Sequence, residues 1–440
     1  MISKFKNKII QGDCLDVLKG LLDNSVDSAV TDPPYGLSKE PDIKEVLTKW
    51  LDGEEYDHGH KGFMGKSWDS FVPHPDIWKE VYRVLKPGGH ALVFAGTRTQ
   101  DLMTVSLRLA GFEVRDVIEW LYATGFPKSH DVSKAFDKRA GAERKVISEH
   151  EVVDIRNGHG REYGSALFAG EDTGKMMYKV TAPATDLARK WDGWGTALKP
   201  AHEPIIVVRK PLHDGKKLTV ADCVEKYGTG AINIDASRIA FSGEKDKAAV
   251  TEHGDSSPSV LGERTTYGFK DYAELHKRSS GNEAGRFPAN CITLDSDEFY
   301  SKYFNITPQE LSKKASKKDR NSDWQGEEIA LEGRPPKHVF GDGLNSATKV
   351  RKIGDEEAVK DGKLPKGRTL RTNHHPTVKP TDLMAWLIRL ITPPNGIVLD
   401  PFAGSGSTLV AAKREGFDYI GIEMTPEYVE IAKARTGEAV

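Results

Sequence analysis

Residues 31–36 read T-D-P-P-Y-G, directly after 25–30, S-V-D-S-A-V. Two consecutive prolines cannot continue a central strand, since neither offers a ladder N–H, and the first keeps Asp32 out of the helical region. The chain therefore leaves the strand in a stiff, extended turn. That turn fixes one carboxylate, Asp32, and one aromatic ring, Tyr35, at a strand's carboxyl edge. Taken alone, the segment also reads as an Asx-type turn before a loop. A second stretch, 397–408, reads I-V-L-D-P-F-A-G-S-G-S-T. Its pattern is a buried strand ending at Asp400, a glycine turn, and a helix capped by Ser407 or Thr408. Backbone N–H groups and a helix N-terminus then face a ligand at the strand's carboxyl edge. No lysine follows the second glycine, so this is not a triphosphate-binding loop. Leu409 stands where a dinucleotide site needs its third glycine. Glu423 closes the next strand about 20 residues on, where a carboxylate accepts hydrogen bonds from ribose hydroxyls. A nucleoside ligand without a pyrophosphate fits these three features, S-adenosyl-L-methionine being the common one.

Both stretches need a sheet to position them. Lys8–Gln11 and Val26–Thr31 are strand-like, Cys14–Leu22 has helical spacing, and Asp76–Lys86 is an amphipathic helix stopped by Pro87-Gly88-Gly89. A strand at 90–95, a helix at 98–110 and a strand at 112–122 follow. The alternation returns at the C-terminus, with helices at 380–391, 408–415 and 426–435 and strands at 396–399 and 418–422. Thr425 is the expected N-cap and Pro426 the first residue of the last helix. Such alternation predicts βαβ units and a mostly parallel sheet covered on both faces. The middle, from about 123 to 370, is polar and rich in Gly, Ser, Lys and Asp, with P-I-I-V-V at 204–208 its clearest apolar run. A chain of 440 residues, 38% hydrophobic and 29% charged, holds more than one domain. It has no apolar run long enough to span a bilayer and no visible secretory signal, which predicts a cytoplasmic location. Cys14, Cys223 and Cys291 form no C-x-x-C pair, arguing against a disulfide framework or a cysteine zinc site. The net charge of −2 neither requires nor excludes nucleic acid.

The two stretches together resemble the DNA amino-methyltransferases, which methylate N6 of adenine or N4 of cytosine. With D-P-P-Y first, a long variable region, and then the cofactor loop, the order is similar to that of the circularly permuted β class, phage and prophage methylases included. Gly12-Asp13-Cys14, Leu85-Lys86-Pro87-Gly88-Gly89 and His375-Pro376-Thr377-Val378-Lys379-Pro380 extend the match, and 202–211 (H-E-P-I-I-V-V-R-K-P) matches the family's late hairpin strand weakly. The resemblance implies a Rossmann-like α/β methyltransferase fold built from 1–121, 201–212 and 372–440. It implies an insert at 122–200 and a target-recognition region at 213–371. It also implies the chemistry. The Asp32 carboxylate and Pro33 carbonyl accept the hydrogens of an exocyclic amine and favour its pyramidal, nucleophilic form. Pro34 stiffens the turn, and Tyr35 stacks on a base flipped from the duplex. Asp400, Pro401, Phe402, Gly404, Ser405 and Gly406 cradle S-adenosyl-L-methionine, and Glu423 takes its ribose hydroxyls. Asp13 resembles the family's adenine-contacting acid but equally suits a helix N-cap. Thr377 and Lys379 resemble the segment that meets the methionine carboxylate.

Double-stranded DNA is the implied partner, and aspartate at position 32 points to adenine N6 rather than cytosine N4. The basic residues of 313–320, Lys349, Arg351, Lys352 and the run 363–371 are candidates for phosphate contacts. A protein-glutamine or RNA amino-methyltransferase would carry Asn at position 32 and the opposite motif order. Cytosine-C5 methylation needs a nucleophilic cysteine, usually after proline, and none of the three cysteines follows one. A separate restriction endonuclease, an orphan or phage role, and a homodimer all stay open at this level.

Overall fold

The computed structural model describes residues 2–37, 39–59, 70–122, 129–151, 177–198, 200–241, 243–244, 247, 284–293, 329–331, 350–352, 369–371, 373, 375 and 377–438. In chain order the strands are β1 (Lys8–Gln11), β2 (Val26–Thr31), β3 (Leu85–Phe94), β4 (Glu113–Leu121), β5 (Val146–Glu151), β6 (Met177–Thr181), β7 (His202–Arg209), β8 (Cys291–Thr293), β9 (Ile329–Leu331), β10 (Val350–Lys352), β11 (Thr369–Arg371), β12 (Ile397–Asp400) and β13 (Asp418–Glu423). The helices are α1 (Cys14–Lys19), α2 (Ile43–Asp52), α3 (Pro75–Val84), α4 (Gln100–Leu109), α5 (Val132–Ala140), α6 (Asp186–Lys190), α7 (Val220–Tyr227), α8 (Thr381–Ile391), α9 (Ser407–Arg414) and α10 (Pro426–Thr436). The chain divides into two compact units, 1–123 with 202–333 and 344–440, and 124–201 with 334–343.

The larger unit is built on an eight-stranded sheet in the order β1-β13-β12-β2-β3-β7-β4-β8. Every pairing is parallel except those of β7, which runs antiparallel to β3 and β4. The fold is thus α/β with a mostly parallel sheet, as the alternation predicted. One apolar layer joins α8 and α9 to the sheet, and a second joins α1, α3 and α4 to the opposite face. β2 is buried at every residue. Its one charged side chain, Asp27, is satisfied on both oxygens, by Lys86 Nζ at 2.6 Å and by the Ile397 backbone N–H at 2.7 Å. That contact also locks β12 beside β2, where Leu399 faces Ala29.

Several boundaries differ from those read in sequence. The helix α3 stops at Val84, and β3 already begins at Leu85 and runs through Pro87-Gly88-Gly89. The P-G-G segment forms a bulge opposite β2, with Gly88 at a left-handed φ of 76°, and it stays on the sheet because Gly88 N–H donates to the Lys210 carbonyl (3.1 Å) and Lys210 N–H to the Gly89 carbonyl (2.9 Å). The helix α9 starts after Gly406, with no side-chain cap from Ser407 or Thr408. Thr425 occupies the N-cap of α10 without making a side-chain cap bond. The helix α2 was not expected; Asp42 caps its start, accepting from Lys44 and Glu45 N–H groups, and left-handed Gly53 closes it. Most of the 213–371 region belongs to the larger unit, and two pieces of it pack on the eight-stranded sheet. Strand β8 pairs with β4, and α7 packs beneath β3, with the Cys223 thiol donating to the Pro87 carbonyl.

In that region β9 also pairs antiparallel with β10 and β11, so that Arg351, Lys352 and Arg371 lie on strands. The other basic candidates, at 313–320, Lys349 and 363–368, lie outside the described residues. In the smaller unit α5, α6 and the β5–β6 hairpin converge on Asp137. Its carboxylate accepts from Arg144, the Ala184 and Thr185 N–H groups and the Thr185 hydroxyl. Among the described residues no helix is long and apolar enough to cross a membrane.

Candidate active site

The two motifs, at opposite ends of the chain, meet at the carboxyl edges of adjacent strands. Thr31, the last residue of β2, donates its hydroxyl to Asp400 Oδ1 at the end of β12 (2.7 Å). Burial pushes the Asp400 carboxyl up to about 6, against hydrogen bonds from Thr408, Thr31 and the Phe402 N–H that favour its charged form. This buried junction sets the distance between the D-P-P-Y turn and the glycine turn.

On the D-P-P-Y side, the Tyr35 hydroxyl donates to Asp32 Oδ1 (2.8 Å) and reaches Glu203 Oε2 at 3.1 Å. The Thr99 hydroxyl donates to the Tyr35 carbonyl and holds the end of the turn. Burial raises the Asp32 carboxyl above the ordinary carboxylate range, and the neighbouring Lys379 ammonium opposes that rise. The Tyr35 phenol is pushed well up by burial and by the two carboxylates, so it stays a neutral donor.

On the glycine side, Gly404 and Gly406 take left-handed φ values of 52° and 81°. A Cβ on Gly404 would sit 2.8 Å from His375 Nε2, and one on Gly406 3.0 Å from Ala432 Cβ. Glu423, at the end of β13, accepts from the Gly404 N–H (2.9 Å) and the Thr425 N–H (2.8 Å), one bond on each oxygen. Each oxygen keeps a second lone pair for a hydroxyl donor. Pro401 and Ser405 lie buried in the turn, and the half-buried Phe402 ring leans on Trp78 with centroids 6.0 Å apart. Arg435, buried on α10, donates to the Ser405 carbonyl (2.7 Å) and lies within 3.3 Å of the Ser405 and Ser407 hydroxyls, pinning the turn from behind.

Asp13 caps α1, accepting from the Leu15 N–H at 2.9 Å. Beside it, burial pushes the Cys14 thiol up to about 12, far from a reactive thiolate. Thr377 is exposed, its N–H directed at His375 Nδ1 (3.4 Å). Lys379 is buried among the D-P-P-Y residues, its Nζ 2.5 Å from Asp32 Oδ2.

These residues fit S-adenosyl-L-methionine. A carboxylate with free lone pairs, an apolar ring and a tight glycine turn suit a ribose and an adenine. Fully buried Asn373, whose Nδ2 has no partner among the described residues, is two residues from the His375 ring that lies against Gly404, and an acceptor such as a ligand carboxylate would suit that donor.

A family model described as DNA methylase, covering the N6 and N4 enzymes, matches residues 26–434. The chain belongs to this family. It is 22% identical to the type II methyltransferase M.HindIII of Haemophilus influenzae over 98% of this chain and 94% of that one. It is 40% identical to the type II methyltransferase M2.LlaDCHI of Lactococcus lactis over 89 residues, 20% of this chain and 33% of the relative. Strong local matches of this kind thus span a third or less of the relatives' length. Among solved structures it is similar to PvuII DNA methyltransferase, described as cytosine-N4-specific, at 14% identity and a TM-score of 0.40 over 97% of this chain and 85% of that one.

Glu203, Arg435 and Asn373 were not singled out in the sequence. Glu203 stands directly before the apolar run of β7, but only the antiparallel register, with Ile205 opposite Phe94, puts it at the same edge as Asp32. For Arg435, a lone arginine near the end of a helix carried no signal of burial.

Proposed function

We propose that this protein transfers a methyl group from S-adenosyl-L-methionine to N6 of an adenine flipped out of duplex DNA, in the cytoplasm. The observation that carries the reading is the Thr31–Asp400 contact, which sets the Asp32 turn beside the glycine turn. When bound, the cofactor supplies an electrophilic sulfonium methyl. Asp32 Oδ1 and the Pro33 carbonyl accept the two amine hydrogens, and the prolines preset both directions so that little reorganises during reaction. The Tyr35 hydroxyl, now on Asp32 Oδ1, yields or shares that oxygen when the amine arrives, while its ring offers a stacking face. Glu423 and the Gly404 turn orient the cofactor's nucleoside, and burial around Asp32 and Asp400 limits competing water. A carboxylate at position 32 favours adenine as the target.

The test is base-resolved mapping of modified DNA from cells expressing the protein beside an Asp32→Ala control. Methyladenine at a fixed sequence, lost in the control, is expected. Purified Asp32→Ala should bind cofactor yet transfer methyl at least about 100-fold more slowly. N4-methylcytosine would replace the adenine assignment, and methylation unchanged in the control would remove Asp32 from the chemistry.

A further inference from the structure

Three oxygens surround the Lys379 ammonium: Asp32 Oδ2 at 2.5 Å, Tyr35 OH at 3.1 Å and Glu203 Oε2 at 3.4 Å. Two aromatic rings also face it, with the Phe94 and Tyr35 ring centroids 4.9 and 5.2 Å away. An ammonium has three hydrogens, and here each has an oxygen within reach. No donor remains for the carboxylate of a cofactor. The Lys379 side chain is 9% exposed, Asp32 18% and Glu203 14%, so this is a desolvated cluster rather than a surface pair.

We propose that Lys379 is a positioning residue for Asp32, the counter-charge that keeps its carboxylate ionised and turned with Oδ1 toward the substrate, and that Glu203 anchors Lys379 in that place. The proposal rests on Asp32 being the amine acceptor. An ionised carboxylate only accepts, whereas a protonated one would aim an O–H at an amine that must itself donate. Burial drives Asp32 toward the protonated form, as does the negative charge of Glu203. Asp400 lies close enough for Asp32 to raise its carboxyl in turn, which adds a third acid to the neighbourhood. The remaining titratable neighbours, Tyr35 and Tyr122, are phenols held neutral by burial, and Tyr122 hydrogen-bonds Glu203. Lys379 is therefore the single cation facing two carboxylates among the described residues of the cluster. Its ammonium is held above the usual lysine range by Asp32 and Glu203 despite burial, which keeps the charge in place.

The test compares Lys379→Met and Glu203→Gln with the wild type in single-turnover methylation from pH 6 to 9. Without Lys379, Asp32 protonates more readily. The Lys379→Met rate at pH 6.5 should fall at least about tenfold further below wild type than its rate at pH 9. Glu203→Gln keeps a side-chain oxygen to hold the Lys379 ammonium while removing the negative charge that raises Asp32, so it should lose less of its rate on acidification than the wild type does. Cofactor affinity, read by calorimetry, should stay within about twofold in Lys379→Met. An equal loss of rate at every pH, or a weakened cofactor affinity with an unmoved pH profile, overturns the proposal and returns Lys379 to the cofactor. Thermal melts carry the same test without substrate. A buried carboxyl raised in the folded state loses stability as pH rises through its folded value. The Lys379→Met melting temperature should therefore fall further below wild type as pH rises from 5.5 to 9, and parallel curves would count against the idea. Wild type that methylates no duplex defeats the functional reading instead, while the melts still decide the charge relation.

Discussion

Replacing Gly404 by alanine probes whether the glycine turn is shaped for close approach or merely tolerates glycine. Two costs can be separated. The left-handed φ of 52° costs a residue with a Cβ about 1 kcal/mol. The added Cβ also lies 2.8 Å from His375 Nε2, too close for any ordinary contact. His375 cannot simply swing away, because its ring packs edge-on to Tyr428 with centroids 4.4 Å apart and its Nδ1 faces the Thr377 N–H. Either that ring is displaced or the turn retreats and gives up the Gly404–Glu423 hydrogen bond of 2.9 Å. Overpacking of this kind costs a further 1–3 kcal/mol or so. If about 1.4–2.8 kcal/mol of the total falls on the cofactor site, S-adenosyl-L-methionine binds about 10- to 100-fold more weakly. Gly416→Ala is the matched control. Its φ of +80° carries the same conformational cost, but nothing lies within 4 Å of the new Cβ. Titration calorimetry should show weakened binding for Gly404→Ala and wild-type binding for Gly416→Ala, with both melting somewhat lower. His375→Ala added to Gly404→Ala should recover the steric part relative to His375→Ala alone. Equal cofactor affinity in the two glycine variants would refute the reasoning.

Arg435→Met keeps the apolar stem but removes the guanidinium bonds to the Ser405 carbonyl and the Ser405 and Ser407 hydroxyls, so cofactor binding should weaken about tenfold in calorimetry, a loss of order one charged hydrogen bond. Asp400 makes the folded state pH-sensitive: with its carboxyl raised to about 6 from 3.8, the folded protein holds that proton more tightly. Its stabilising contribution is therefore complete below about pH 4 and is lost as pH rises through 6, by up to about 3 kcal/mol. Denaturant melts of Asp400→Asn should accordingly gain on the wild type between pH 4.5 and 7; a constant offset would show that Asp400 does not titrate in that window.

What was legible in the sequence was local. The βα pairs at both ends could be read because most of their strands are short apolar runs and most of their helices carry an apolar stripe. Pro87-Gly88-Gly89 misled because it turns locally, with Gly88 at a left-handed φ of 76°, as a bulge within β3, and the ladder with Lys210 that carries the strand past it is announced by no local pattern. Strand β8 escaped notice because three residues are too few to show alternation. At the site, the D-P-P-Y and glycine turns stood out because their chemistry and their backbone shape are the same residues. Lys379 was visible as a residue but not as a contact, since an extended segment does not reveal where its side chain points. Glu203 needed the antiparallel register of β7, which depends on a strand more than 100 positions earlier in the chain.

The strand order β1-β13-β12-β2 has a consequence for how the protein is made. Strand β1 sits at the sheet's margin and, among the described residues, pairs with one strand, whose last residue is Glu423. Strand β2, buried at every residue in the finished fold, waits for residues 397–400 before one of its sides is covered. The sheet therefore closes only once β12 and β13 have been synthesised, through contacts of very long sequence separation, which makes folding slow and exposes a bare apolar edge meanwhile. A nascent chain that stops short of residues 400–406 cannot bring Asp32 and the glycine turn together, so this junction forms only after the long middle of the chain has been made.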